Sequence, residues 1–355
     1  MKLLLVGYLH SEGGVKHLTL WLARGMAERG HQVTVATPGP IGSEPWDLPE
    51  EDSVRIVNID TVGQVLHGYP GGKDSAFDCV VVIGTGWKSM IGPLLNRRIR
   101  KRVFFEVMSG ERNGLLDPRM LVHLGFDAIV GQGRPVETQF CSNFGWTGRH
   151  TTIPAMPHPL ERVADLARSA PLRPARGALK ACYFSRLSPH KGAHWLLEQW
   201  DQVSEHVGSL DIWGTGPDER RIRDTIAAKG LQDRVRLHGR YQGDENYIAQ
   251  LQSYDVELLP TFGFEGAPLV LLEAMACGLP FVANGVGGIP DYANPDCRIT
   301  SGNLAEFLPA LASMAEALYA EQIDHARLQR HYNATFSFTA LCDRWESFLQ
   351  EIVAT

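Results

Sequence analysis

The chain opens on the apolar run "KLLLVGYL", continues through a glycine-bearing loop and a one-faced helix, and reaches a second apolar run, "QVTVATP". Runs without polar alternation read as strands buried on both faces, the mark of a parallel sheet covered by helices. Leu18, Trp21, Leu22, Gly25 and Met26 fall at i, i+3, i+4, i+7 and i+8, one stripe of a helix that Gly30 ends. Strand, glycine loop, helix, strand is the beginning of a doubly wound α/β domain. "FDCVVVIGTG", "KRVFFEVM" and "FDAIVGQG" predict three further strands.

The texture changes from Ile153 to Gly177, where Pro154, Pro157, Pro159, Pro171 and Pro174 interrupt the chain. That stretch reads as a linker. After it the same grammar restarts. "LKACYFSRL", "SLDIWGTG", "DRVRLHG", "VELLPT" and "LPFVAN" predict strands, with helical patterns between them. The chain therefore repeats a whole α/β domain, predicted at residues 1–165 and 166–336. An amphipathic helix at about 337–355 can pack on either, and back onto the first. A length of 355 residues fits two hydrophobic cores better than one.

The net charge of −6 argues against nucleic acid as a partner. Six scattered cysteines, with no C-x-x-C pair, fit a reducing cytosol. The apolar stretch before Gly7 is too short for a secretory leader, and no run of about eighteen apolar residues spans a membrane. The expected location is cytoplasmic.

The most informative stretch is "FGFEGAPLVLLEAMACGLPFVANGVGG", Phe262 to Gly288. Pro268 suits a first helical turn, and Gly278 with Pro280 stops the helix, so a helix is predicted over about Pro268 to Cys277. It is apolar on every side except at Glu273, and a buried carboxylate needs a partner. Glu265 lies in the preceding loop between Gly263 and Gly266, where backbone can approach a ligand closely. The helix N-terminus between the two acids, at Leu269 and Val270, offers free N–H groups to an anion. Arg186 and Lys191 stand five apart across the predicted end of a parallel strand, where such sheets bind ligands. The simpler reading is a solvated loop acid, an internally paired Glu273 and two surface cations.

Five stretches carry a resemblance. They are "SEGGVKHLTLWLARGMAERGHQVTVAT", "YFSRLSPHKG", "DIWGTGPDERRIR", "DRVRLHGRY" and "FGFEGAPLVLLEAMACGLPFVANGVGGIPDYA". The chain resembles the family 4 retaining glycosyltransferases of the GT-B fold (glycosyl transferases group 1). The resemblance implies two Rossmann-like doubly wound domains facing each other across a cleft, and an enzyme that moves a sugar from a nucleotide-diphosphate donor. Arg186 and Lys191 would hold the donor diphosphate and stabilise the leaving group. Glu265 would face hydroxyls of the transferred sugar and Glu273 those of the ribose. The N–H groups of Leu269 and Val270 would touch a phosphate, with Gly266 in the same loop. Gly13 and Gly14 would bring the first domain's loop to the diphosphate, and Tyr241 would line the nucleobase site. Arg186, Lys191 and Glu265 are the expected catalytic set.

The chain departs from the family at three places. Ser185 stands where the family usually has Gly, and Thr261 where it usually has Ser. Many members carry a His at the end of the strand matched by "VFFEVMSGE", and this chain does not; Glu106, Ser109 and Glu111 are its acceptor-side candidates. His10, His17, His123 and His158 read as structural or solvated.

The implied chemistry is front-face transfer, the acceptor hydroxyl attacking from the side the diphosphate leaves. The enzyme supplies positioning and charge stabilisation. No cofactor is expected, and no metal, because no clustered Asp or His motif stands out; the donor would be a UDP- or GDP-sugar. The acceptor would be a glycan, a lipid-linked glycan or a small molecule, as in cell-surface polysaccharide or glycolipid synthesis. Arg97, Arg98, Arg100, Lys101 and Arg102 form a dense basic cluster that can meet an anionic membrane at its inner face, or else solvate a helix end. The alternatives are an inverting GT-B transferase, a nucleotide-sugar epimerase, a two-lobed solute receptor or a catalytically silent nucleotide-sugar-binding subunit.

Overall fold

The computed structural model describes residues 1–9, 14–39, 54–59, 61–68, 76–162, 166, 174–241, 245–263 and 265–355. The chain forms two compact units, Met1–Pro157 together with Phe338–Thr355, and His158–Ser337.

The first unit is built on β1 (Lys2–Val6), β2 (Gln32–Pro38), β3 (Val54–Ile59), β4 (Phe77–Ile83), β5 (Ile99–Glu106), β6 (Ala128–Gly131) and β7 (Arg149–Thr152). All are parallel, in the order β3-β2-β1-β4-β5-β6-β7. Helices α1 (Gly14–Glu28), α2 (Val62–Leu66), α3 (Trp87–Leu95) and α4 (Arg134–Phe144) lie between the strands in sequence. The central strands are buried along most of their length, which is why they read as unbroken apolar runs.

The second unit repeats the plan with β8 (Leu179–Phe184), β9 (Val207–Trp213), β10 (Val235–Gly239), β11 (Val256–Leu259), β12 (Phe281–Ala283) and β13 (Arg298–Ile299). These too are parallel, in the order β10-β9-β8-β11-β12-β13. Its helices are α5 (Ala193–Glu198), α6 (Trp200–Val203), α7 (Glu219–Ala228), α8 (Glu245–Gln252), α9 (Leu269–Ala276), α10 (Phe307–Tyr319) and α11 (His325–Thr335). In both sheets the strand order reverses direction once, between β1 and β4 and between β8 and β11. In open α/β sheets the crevice beyond the carboxyl ends of the strands at that reversal is where ligands bind.

The last helix, α12 (Phe338–Ala354), belongs to the first unit. Its apolar stripe carries fully buried Trp345, edge-on to Phe105 with ring centroids 5.0 Å apart, and Phe338, which meets Trp21 edge-on at 6.2 Å. Each such side chain taken from water is worth about 1.5–3 kcal/mol. The polar edge is tied down as well, through Arg29 to Asp343 and His31 Nε2 to Glu346 at 3.1 Å.

Among the described residues three strands lie outside the ten that the sequence predicts: β3, β7 and β13. All three are sheet edges, and their residues are mostly half-exposed. An edge strand with one open side has no need of an apolar run. The single helix expected after Lys191 is broken at Gln199 into α5 and α6. The helix expected over Pro268 to Cys277 is α9, with Pro268 and Cys277 as its flanking caps.

Candidate functional site

The reversal point of the second sheet is flanked by the segments that follow β8 and β11, and these carry the acids and cations of the sequence analysis. The segment after β8 turns through Ser188 to Lys191: the N–H of Lys191 donates to Ser188 O at 2.9 Å, and the Tyr183 hydroxyl donates to Lys191 O at 3.3 Å. The N–H of Phe262, beyond β11, donates to His190 O at 2.7 Å, so the two loops are sewn together by backbone. Across this seam Lys191 Nζ forms an ion pair with Glu265 Oε2. Both side chains are largely enclosed, at 16% and 8% exposure, where a charge pair is screened far less than at the surface. The other Glu265 oxygen accepts the N–H of Gly266 at 3.1 Å.

Arg186 lies in the same β8 segment but is exposed, and no side-chain ion pair or hydrogen bond engages it among the described residues. Its loop is held by the N–H of Leu187 on Thr215 O at 2.9 Å and that of Asp218 on Leu187 O at 3.0 Å. His190, which sequence reasoning passed over, belongs to the same constellation. Burial holds its imidazole below the usual value, Lys191 and Arg186 add to that, and Glu265 opposes it. The loop of Glu265 is in turn seated on Gly287, whose φ is +57° and where a Cβ would come within 2.0 Å of Glu265 O.

Helix α9 follows directly. Among the described residues no side chain caps its N-terminus, so the first-turn N–H groups at Leu269 and Val270 have no side-chain capping acceptor there. Its Glu273 is buried, and Oε2 accepts the Tyr247 hydroxyl at 2.7 Å. Burial raises the Glu273 carboxyl above its ordinary value, against the hydrogen bonds of Tyr247 and of the His158 backbone. Half-buried Tyr241 stacks on Tyr247, with centroids 5.2 Å apart and planes at 26°, and meets Phe184 edge-on.

Beneath this group lies a carboxyl that sequence reasoning missed. Glu257, on β11, is fully buried and neither oxygen has a hydrogen-bond partner among the described residues. Its register partner on β8 is Cys182, two residues from Phe184, so it faces the side that carries Phe184, Tyr241 and Tyr247. Burial pushes this acid well above its ordinary value, and the nearby Glu273 pushes it further. The signal was present in "VELLPT": one charged residue inside an otherwise apolar strand.

In the first unit, Gly13 lies outside the described residues, as does His10. Gly14 is the exposed first residue of α1. Glu106 closes β5 in complete burial, where one oxygen accepts Arg119 Nη1 at 2.9 Å and the other the N–H of Met108 at 2.7 Å. Arg119, itself 1% exposed, also binds Asp117 at 2.7 Å and the carbonyl of Glu111. Burial raises Asp117, but the bonds from Arg119 and from the Asn113 and Arg119 N–H groups outweigh it and leave the acid below its usual range. Burial wins at Glu106, which stays raised despite Arg119. Glu106 is thus committed to an internal network that braces the loop after β5. Ser109 and Glu111 sit half-buried on that loop; Ser109 Oγ accepts the N–H of Glu111 at 3.4 Å, and Gln139 reaches Glu111 Oε1 at 3.4 Å.

The basic cluster divides by environment. Arg102 turns inward, donating to Pro93 O at 2.9 Å and Asn96 O at 2.8 Å, and Lys101 pairs with Asp127 at 3.4 Å. Arg97, Arg98 and Arg100 are exposed, and Leu95 (41%) and Leu124 (70%) stand out from the same region, where Gly125 lies against Leu94. No helix among the described residues is long and apolar enough to cross a membrane.

Residues 178–319 match the family described as glycosyl transferases group 1. A putative colanic acid biosynthesis glycosyltransferase, WcaL of Escherichia coli (strain K12), is 34% identical over 167 residues, covering 42% of this chain and 40% of that protein. The Salmonella typhimurium counterpart is 31% identical over 203 residues, covering 52% of this chain and 47% of its own length. The chain therefore matches less than half the length of these relatives. The GDP-mannose-dependent alpha-(1-6)-phosphatidylinositol monomannoside mannosyltransferase of Mycolicibacterium smegmatis is 26% identical, covering 74% of this chain and 75% of that one. Among solved structures, Anabaena Alr3699/HepE in complex with UDP superposes with a TM-score of 0.76 at 17% identity, over 99% of this chain and 100% of that one. Sucrose-phosphate synthase from Thermosynechococcus elongatus gives 0.72 at 16% identity, over 100% and 99%. The two-sheet α/β architecture is that of GT-B glycosyltransferases.

Proposed function

We propose that this chain, whose residues 178–319 belong to the glycosyl transferases group 1 family, moves a sugar from a nucleoside-diphosphate donor to a hydroxyl acceptor with retention at the anomeric carbon. The observation that carries the reading is the Lys191–Glu265 pair at the strand reversal of the second sheet. The ammonium and the carboxylate neutralise each other. A donor's diphosphate draws Lys191 onto its own oxygens, joined by the unengaged Arg186 and the uncapped N-terminus of α9. Glu265, released, accepts hydroxyls of the transferred sugar. Glu273, oriented by Tyr247, accepts hydroxyls of the ribose, and the base stacks against Tyr241. The resemblance names Gly13 and Gly14 as further phosphate-binding candidates.

The acceptor hydroxyl then attacks the anomeric carbon on the face the diphosphate is leaving. Its proton passes to the departing phosphate oxygen, and Arg186 and Lys191 hold the charge that develops there. Ser109 and Glu111 are the acceptor-side groups. The relatives named for polysaccharide synthesis support a glycan or lipid-linked glycan acceptor, and the UDP complex of the Anabaena protein supports a nucleotide-sugar donor. Arg97, Arg98 and Arg100, with Leu95 and Leu124, form a patch suited to peripheral contact with an anionic membrane on the cytoplasmic side.

A thermal-shift screen of UDP, GDP, ADP and their sugars, followed by release of nucleoside diphosphate from the ligand that binds, tests the reading. A ligand at a hundred times its Kd adds about 2.7 kcal/mol to stability. No shift and no release with any of them would remove the donor site. An inverted product anomer would remove retention alone, and failure to pellet with anionic vesicles at low salt would remove the membrane contact.

A further inference from the structure

A second cluster of chemistry-bearing side chains lies in the first unit and takes no part in the proposed transfer. Glu137 and Cys141 are one turn apart on α4, so they share a face. His150 is on the edge strand β7, paired to β6 with His150 opposite Ile129 and Thr152 opposite Gly131. The three supply a carboxylate oxygen, a sulfur and an imidazole nitrogen that all lie within 4.8 Å of one another. His150 Nδ1 contacts Glu137 Oε1, and Cys141 Sγ is 4.0 Å from the same oxygen. Thr152 Oγ1 stands 3.4 Å from the other oxygen of Glu137.

The cluster is built rather than scattered. A Cβ on Gly131 would come within 2.4 Å of the Cβ of Glu137, so only glycine lets the first turn of α4 sit this close to the strand end. That approach aligns Glu137 with the face of β7 on which both His150 and Thr152 lie. Glu137 is 8% exposed while His150 stays half-exposed, so the group is anchored inside and open outside.

We infer that Glu137, Cys141 and His150 form a binding site for a divalent transition metal of borderline softness, with zinc the best fit, and with water in a fourth, outward position. Tetrahedral zinc with bonds of about 2.0–2.3 Å sets its ligand atoms about 3.3–3.6 Å apart. The observed separations bracket that range. One carboxylate beside a thiolate and an imidazole suits zinc, cobalt or nickel; magnesium and calcium ask for several oxygens. The metal would clamp the edge strand β7 to α4, an element held from one side only by the sheet. The inference is independent of the transfer reaction, since none of these residues has a role in it.

Cobalt(II) added to the chelator-stripped, tag-free full-length protein tests it. The expected result is one equivalent bound, with the visible d–d bands of a tetrahedral site and a thiolate-to-cobalt charge-transfer band, both discharged by zinc. Cys141→Ser should abolish the charge-transfer band, and His150→Gln should weaken binding more than tenfold. Zinc should raise the Tm of the wild type and leave that of Cys141→Ser unmoved. No band at stoichiometric cobalt would overturn the site without any variant. An identical band in Cys141→Ser, or an equal zinc-dependent rise in Tm, would place the metal elsewhere and overturn it too.

Discussion

Lys191 Nζ and Glu265 Oε2 form an ion pair between residues 74 positions apart, on the loops that leave two neighbouring strands. The contact makes one electrostatic unit of groups that the sequence presents separately. In the proposed reaction the pair opens when a diphosphate arrives; three expectations follow from this site and a fourth from the first unit.

Lys191→Ala should lower turnover by roughly 10²–10³, the usual loss when a preorganised donor to developing negative charge is removed. The ammonium is largely enclosed and its loss leaves the Glu265 carboxylate unpaired, so Tm should fall as well, but by far less than the loss of activity accounts for. Steady-state kinetics beside a melting curve checks this. A variant that loses stability in proportion to activity would make the lysine structural.

Glu257→Gln should flatten the pH dependence of stability. The Glu257 carboxyl is raised in the folded protein, so the folded state binds more protons than the unfolded chain above the ordinary value of 4.5. Wild-type stability therefore falls as pH rises from that value toward the folded pKa, and below it the contribution vanishes because both states are protonated. Glu273 shifts in the same direction and repels Glu257, so the difference between the urea midpoints reads Glu257 together with its coupling to Glu273. Parallel curves would mean the acid is not held protonated.

Glu273→Ala should weaken nucleotide binding, read as a higher Kd by calorimetry. Tyr247→Phe removes only the 2.7 Å hydrogen bond that orients the carboxyl, worth about 1–2 kcal/mol, and should weaken binding several-fold. Unaltered affinity in both would take Glu273 out of the ribose site.

Arg119→Met leaves two acids, Glu106 and Asp117, without their shared cation inside the first unit. Breaking a buried pair in this way costs about 3–5 kcal/mol. Denaturant unfolding should show a loss of that size. A change under about 1 kcal/mol would show that the two acids find other partners or protonate without penalty.

Most of the ten predicted strands were legible because they are covered on both faces and so are written as apolar runs; β10, a half-exposed sheet edge, is the exception. "FDCVVVIG" is the clearest case. Edge strands such as "RHTT" are half-exposed and carry no such pattern, and they surface only when register is known. At the site, Glu265, Glu273, Arg186 and Lys191 were readable as unusual residues in telling places. Glu106 was read as an acceptor-side group; its oxygens accept from the Met108 N–H and from Arg119, thirteen residues further on, a partner that no spacing rule singles out.

By itself the chain's pattern determined the α/β class, the repeated domain plan and the buried helix with its lone acid, because burial periodicity is a local property of neighbouring residues. Tertiary structure alone decided which charges meet. Lys191 with Glu265, Arg119 between two acids, Glu257 without a partner, and His150 beside Cys141 all depend on strand order and register. A Coulomb interaction or hydrogen bond acts over a few ångströms in space, and sequence distance carries no record of that.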